Sequence, residues 1–249
     1  MPPVPETSAG PADPATANDY DSFAEAYTAE TEAGLINAYY ERPAILALAG
    51  DVTGRRILDA GCGSGPVFAA LRDRGAIVTG FDKSAGMLEL ARRRLGDGAA
   101  LQVADLASPL PFPDGAFDDV VASQVLHYLE DWGPALAELR RVLKPGGRLI
   151  VAIDHPFAIQ ALELLAGRKT TYLATYRWTE EWEMGGQRFP MSFWHRPLHA
   201  TTDAFTAAGF RISVISEPQP VPAARELDPD GFRMLSNNPS FLFFVLHAG

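Results

Sequence analysis

Apolar residues follow two rhythms along this chain. Between residues 56 and 153, short apolar runs alternate with stretches whose apolar residues recur every three or four positions. The runs at 56–59, 76–81, 100–104, 118–123 and 148–153 read as strands. Between them, residues 66–74 read as a helix with Pro66 in its first turn. Ser84 is a candidate N-cap for a second helix, whose Met87, Leu88, Ala91 and Leu95 share a face. Residues 134–143 form a third, with Leu136, Leu139, Val142 and Leu143 apolar, and Lys144-Pro-Gly-Gly147 stopping it. Strands alternating with helices predict βαβ units and a parallel sheet covered on both faces.

Outside this stretch the rhythm changes. Residues 20–50 carry helical spacing, with Phe23, Ala26 and Tyr27 on one face, and Pro43 is predicted to end one helix or start the next. A helix is predicted at 158–167. Residues 170–195 then abandon the alternation and gather Trp178, Trp182, Trp194, Tyr172, Tyr176, Phe189 and Phe193. A helix at 201–208, stopped by Gly209, is followed by strands at 210–216 and 241–246, with a proline-rich loop at 218–239 between them. Residues 1–19, rich in Pro, Ala, Thr and Asp, read as a disordered tail. The expected organisation is one domain over 20–249, with a helical lid at 20–50 and a cap inserted at 155–200.

Composition narrows the partners. The 249 residues carry a formal charge of −10, and the only basic run is Arg92, Arg93 and Arg94 on a helix face, which argues against nucleic acid. One cysteine, Cys62, excludes a disulfide framework and a Cys-rich zinc site. No apolar run approaches the roughly 18 residues of a membrane span, and the N-terminus lacks the basic start and apolar stretch of a secretory signal. A cytoplasmic protein with a small-molecule partner is expected; nothing in the sequence sets its oligomeric state.

The chemistry concentrates where the first strand runs into Ala60-Gly-Cys-Gly-Ser-Gly65 and then a helix. Such a loop lets a ligand approach backbone amides and a helix N-terminus. A dinucleotide site and a sulfonium-nucleoside site both fit it. The dinucleotide fingerprint needs a small residue where Pro66 stands. Asp59, two residues before the first glycine, would oppose a pyrophosphate but suit a cation. Asp82 and Asp105, at the ends of the second and third strands, could read ribose hydroxyls and an adenine amine. Three strand-end acids favour the nucleoside.

Five segments in order resemble the class I S-adenosylmethionine-dependent methyltransferases of the small-molecule type: Ile-Leu-Asp-Ala-Gly-Cys-Gly-Ser-Gly (57–65), Gly-Phe-Asp-Lys-Ser (80–84), Ala-Asp-Leu (104–106), Phe-Asp-Asp-Val-Val (117–121) and Leu-Lys-Pro-Gly-Gly-Arg-Leu (143–149). The resemblance implies an α/β fold: a seven-stranded, mostly parallel sheet with helices on both faces and its last strand antiparallel, here completed by a helical and aromatic cap. It implies S-adenosylmethionine as cofactor, with Asp59, Gly61, Cys62 and Gly63 toward the methionine, Asp82 on the ribose, and Lys83, Met87, Asp105 and Leu106 about the adenine. Gln124 would lie beneath the methionine amino group and Tyr27 over the cofactor. Taken alone, Cys62 reads as a small loop filler and Met87 fits core packing equally well.

The expected activity is methyl transfer to an O, N or C atom of a small, ring-bearing molecule. The alternatives are a sulfonium-binding protein with non-methyl or scaffold function, or an NAD-type oxidoreductase, which Asp59 and Pro66 disfavour. A base for the acceptor would lie past strands four and five. His155, directly after the fifth strand, is the first candidate; His127 and His195 follow. His195 and His199 have metal-like spacing, but Pro197 breaks the helix they would need, so no metal is expected.

Overall fold

Strand alternation sets the two layers. The computed structural model describes residues 18–249, so the expected tail up to residue 17 lies outside the described residues. In β1 (Arg56–Ala60), Ile57 packs on one face and Leu58 on the other, both wholly buried. The strand is flanked by α1 (Ala24–Ala33) and α2 (Arg42–Ala49) before it, and by α3 (Pro66–Asp73), β2 (Ile77–Asp82), α4 (Ala85–Leu95) and β3 (Ala100–Val103) after it. Then come β4 (Phe117–Ser123), α5 (Gly133–Val142), β5 (Leu143–Asp154) and α6 (Pro156–Leu165). The chain closes with β6 (Tyr176–Met184), β7 (Gln187–His195), α7 (Leu198–Ala207), β8 (Phe210–Ser216), two short helices α8 (Ala224–Leu227) and α9 (Pro229–Asn237), and β9 (Phe241–Ala248).

Seven strands form one sheet in the order β3-β2-β1-β4-β5-β9-β8. β1 to β5 run parallel, and β9 is antiparallel to both β5 and β8. Ile57, Val78, Val121, Ile150 and Phe243 pack beneath α2, α3 and α4; Leu58, Val120, Val151 and Phe244 pack against α5 and α7. The expected α/β architecture and antiparallel last strand are both present. With both faces covered, the carboxyl edge of the parallel strands is left to receive a ligand.

Four segments depart from the sequence expectation. Pro43 stands in the first turn of α2, as expected of a helix start, but no break precedes it: the chain is helical from Asn37 to Ala49, widened to a π turn over Asn37–Glu41. Pro43 has no N–H to give Tyr39, and the freed Tyr39 carbonyl accepts from Val221 N at 2.8 Å. Second, β5 begins at Leu143 and takes Lys144-Pro-Gly-Gly147 into the strand as an irregularity in its pairing with β4. Third, the aromatic part of the cap is a β-hairpin, not helical. β6 and β7 pair from Tyr176–His195 to Met184–Gln187 around Gly185 and Gly186, whose φ values of +59° and +75° are those of a two-residue hairpin turn. Fourth, the 218–239 loop contains α8 and α9; Asp228 caps α9 by accepting from Gly231 N, with Pro229 next to it. Asn18, expected in the tail, exchanges two 2.8 Å hydrogen bonds with the Ser192 backbone of β7.

At the opposite end of the sheet from the glycine loop, Asp119 is wholly buried and binds both Arg55 and Arg148 through paired hydrogen bonds. Burial works to raise its pKa, but the two guanidiniums win and hold it below the ordinary carboxylate range. Asp119→Ala leaves two partly buried cations unpaired and is expected to destabilise the fold by about 3–5 kcal/mol in urea titration, without altering the residues of the cleft.

Candidate active site

The first strand delivers the chain to a turn only glycines fit. Gly61 has φ +71°, and a Cβ there would sit 2.7 Å from the Val125 side chain. Gly63, at φ +53°, has open space where a side chain would stand, so its backbone faces the cleft bare. Its N–H donates to Asp82 Oδ2 at 2.9 Å, while Ser84 N–H donates to Oδ1 at 2.9 Å. The acid at the end of β2 is thereby fixed beneath the loop. Cys62 is buried against Gly80, where a Cβ would lie 2.9 Å from its sulfur, and burial pushes its thiol far above the ordinary range. It fills space rather than acting as a nucleophile.

A cleft open to solvent brings together Gly61, Gly63, Asp82, Lys83, Met87, Asp105, Leu106 and Gln124, with Tyr27 also lining it. Asp105 lies two residues past β3 and forms a turn through Ala107 N–H to its Oδ1 at 2.8 Å. Asp59 and Cys62 line an adjoining recess with Glu41 and Arg42, and both hollows share Tyr27, Gly61, Gly63, Ser123 and Gln124. Sequence reasoning missed Glu41, Ser123, Tyr20 and Tyr128. The hydroxyls of Tyr20 and Tyr128 meet at 2.5 Å across the cleft wall, and nothing in local spacing announces a pair 108 residues apart. The N-terminal segment is pinned over this wall. Asp21 accepts from Ser84 Oγ and Gly86 N, and Arg93 and Arg94 reach Glu25 and Glu32. The arginine run therefore belongs to the lid contact.

The recess is electrostatically unsettled. Burial, helped by Glu41 and Asp82, pushes Asp59 up to about 7, and its Oδ2 has no hydrogen-bond partner. Burial pushes Glu41 up to about 7 as well, although it accepts from the Ser123 hydroxyl. Gln124 holds a left-handed backbone (φ +54°) and leaves Nε2 buried without a partner. An ammonium would satisfy the acids, and an acceptor such as a carboxylate the Gln124 N–H.

The histidines sort differently from expectation. His155 is not in the cleft: its Nδ1 caps α6 by accepting from Phe157 N at 3.2 Å, and Nε2 pairs with Glu217 at 2.8 Å. His195 is also elsewhere, at the base of the hairpin, stacked on Tyr176 and bonded to the Ala174 carbonyl; burial lowers its pKa. His127 does not line the cleft either, but it packs against Tyr128, which does. It sits on a single 3₁₀ turn (Leu126–Tyr128) beside Tyr128, with Nδ1 3.0 Å from Asp154 Oδ2. No group of three His, Cys, Asp or Glu side chains is placed to hold a metal among the described residues.

A methyltransferase-domain family model matches residues 58–151. The chain is 34% identical over 152 residues to a demethylmenaquinone methyltransferase of Renibacterium salmoninarum, covering 56% of this chain and 63% of that protein. It is 43% identical over 116 residues to a ubiquinone/menaquinone biosynthesis C-methyltransferase of Desulfotalea psychrophila, covering 45% and 46%. An S-adenosylmethionine-dependent methyltransferase structure from Mesorhizobium loti superposes with TM-score 0.66 at 28% identity, over 86% of this chain and 100% of that one. Residues 58–151 thus resemble a methyltransferase domain, and the fold around them resembles that of an S-adenosylmethionine-dependent methyltransferase. The chain spans between 41% and 63% of the length of the curated relatives quoted first. The residues present fit the cofactor of those similar proteins: the orphaned Asp59 Oδ2 suits an ammonium and the orphaned Gln124 Nε2 a carboxylate, and the bare Gly63 backbone leaves room for them.

Asp59 and Glu41 hold protons in the ligand-free fold that they lose in the unfolded chain above its ordinary carboxylate pKa. Stability should therefore fall as pH rises from about 4 to about 7. Asp59→Asn is expected to flatten that part of the pH–stability curve in thermal melts; an unchanged slope would place the effect elsewhere.

Proposed function

We propose that this protein transfers the methyl group of S-adenosylmethionine to an O, N or C atom of a small, ring-bearing molecule, with residues 20–50 as lid and 155–200 as substrate cap. The observation that carries this reading is the joining of an unsatisfied acidic recess to an aromatic wall along one carboxyl edge. Bound there, S-adenosylmethionine supplies an electrophilic methyl group on a cationic sulfur. Asp82 holds the ribose hydroxyls while staying anchored by Gly63 and Ser84. Asp59 takes the methionine ammonium, and Gln124 Nε2 and Arg42 its carboxylate. Lys83, Met87, Asp105 and Leu106 bracket the base. Tyr20, Tyr27 and Tyr128 exclude water and orient the acceptor.

His127 takes His155's place as the residue that removes a proton, since its ring adjoins the cleft wall and is oriented by Asp154. The relatives support a ring-bearing acceptor through their quinone names, and one similar protein, from Serratia marcescens, is named as a malonyl-[acyl-carrier protein] O-methyltransferase, so the accepting atom differs among them. The charge of −10 supports a cytoplasmic setting without nucleic acid. No helix among the described residues is long and apolar enough to cross a membrane.

Calorimetry with S-adenosylmethionine should show binding that Asp82→Ala weakens by about 1.5–3 kcal/mol, the range for hydrogen bonds to a charged group. Mass spectrometry over phenols, amines, indoles and quinols should reveal a methylated product. Persistent absence of product while the cofactor binds would overturn the transferase reading. His127→Ala should reduce turnover about 10²–10⁴-fold with cofactor affinity kept, whereas His155→Ala should leave turnover near wild type.

A further inference from the structure

One charged side chain stands where the hairpin's pattern calls for an apolar one. Along β6, Tyr176, Trp178, Glu180, Trp182 and Met184 face inward, while Arg177, Thr179, Glu181 and Glu183 face solvent. Glu180 is thus flanked by two tryptophans and lies across from Met191, which is wholly buried. Phe193 of β7 is the hub of the same wall: Trp178, Trp182, Tyr128 and His127 pack around it at 4.9, 5.7, 5.4 and 5.1 Å between centroids. Trp182 donates its Nε1–H to Glu180 and stacks on Tyr27, which lines the cofactor cleft.

The polar atoms of this wall are not matched to one another. Nδ1 of His127 is close to Asp154 but off the line of a proper hydrogen bond, and its Nε2 has no partner. Trp178 Nε1 is likewise buried and unpartnered. Burial and the nearness of Asp154 raise the Glu180 pKa, with Trp182, His127 and Arg168 opposing. Arg168 itself is committed to Glu163 on α6. The wall therefore holds two carboxyl groups, aromatic faces and one imidazole, with no lysine or arginine of its own to neutralise them.

We propose that this wall, formed by Glu180 and Asp154 with His127 between the hairpin and the end of β5, is the acceptor subsite for a protonated amine carried on an aromatic or otherwise apolar frame. The inference rests on the methyl-transfer reading and names its substrate class. A cation is the one ligand that answers both halves of the wall: carboxylates pair with the ammonium, and ring faces attract it. An anionic acceptor would be repelled, and a neutral ring would leave the Glu180 charge with only the Trp182 N–H to answer it. The ammonium first gives one proton to His127 Nε2. The freed nitrogen lone pair then forms the new N–C bond as the C–S bond breaks. The S–C electron pair stays on sulfur, leaving S-adenosylhomocysteine and an N-methylated ammonium.

The test is direct binding in the presence of S-adenosylhomocysteine, using matched pairs: tryptamine against tryptophol, and phenethylamine against 2-phenylethanol. The amine of each pair should bind the wild-type protein about tenfold or more tightly than the alcohol, and Glu180→Gln should remove that preference, as expected for a hydrogen bond to a charged group. Glu183→Gln, on the solvent side of the same strand, should retain it. Equal binding within a pair, binding of neither partner, or a preference that survives Glu180→Gln overturns the proposal. Methylation is read separately: amine-selective binding without methylated product would sink the transferase reading while leaving the cation subsite standing.

Discussion

Burying a carboxyl group without a counterion is among the costlier things a fold can do, and this one does it at the heart of its cleft. Asp59 is placed there by strand geometry. It lies on a strand buried on both faces, one residue before the turn, with its free oxygen cut off from water. Glu41 arrives from the opposite side and raises the penalty. The ligand-free protein meets the cost by letting these acids hold their protons up to a pH of about 7. The same arrangement makes the recess receptive to a positive group, because a cation that arrives there gains what solvent would otherwise have supplied.

The remaining architecture keeps that edge open and aimed. Helices cover both faces of the sheet, so the ligand has only the strand ends. At the far end, Asp119 ties β4 to Arg55 beside β1 and to Arg148 on β5. Binding and anchoring thus sit at opposite ends of the same strands. Over the top, the N-terminal segment is held between α4 and the hairpin by Asp21 and Asn18, each through a pair of hydrogen bonds. Aromatic rings from the lid, from the turn after β4 and from the hairpin meet there.

The parallel sheet and the residues that line the cleft were legible because both are written in short-range pattern. A buried strand is an apolar run, a glycine turn follows it directly, and the acid ending each of β1 and β2 is one position in that run. The contributors from outside the βαβ rhythm were not legible in the same way. Glu41 stands in a helical stretch where a charged residue ordinarily marks the solvent side, and only the three-dimensional path turns it inward. His155 sits at the end of β5 as the sequence suggests, but its ring turns to cap the next helix. The hairpin was readable in principle: Met184-Gly-Gly-Gln187 between alternating aromatics is a turn signal. The density of tryptophan drew attention to burial and away from the period of two.

The π turn before Pro43 has a wider meaning. Such a turn amounts to one extra residue within a helix, and each residue advances the helical wheel by about 100°. Deleting one position there would restore regular winding and swing Glu41 out of the recess, leaving the glycine loop itself intact. The charge state of the cavity is therefore governed by the phase of a helix, which hinges on an imino acid that has no ionisable atom of its own.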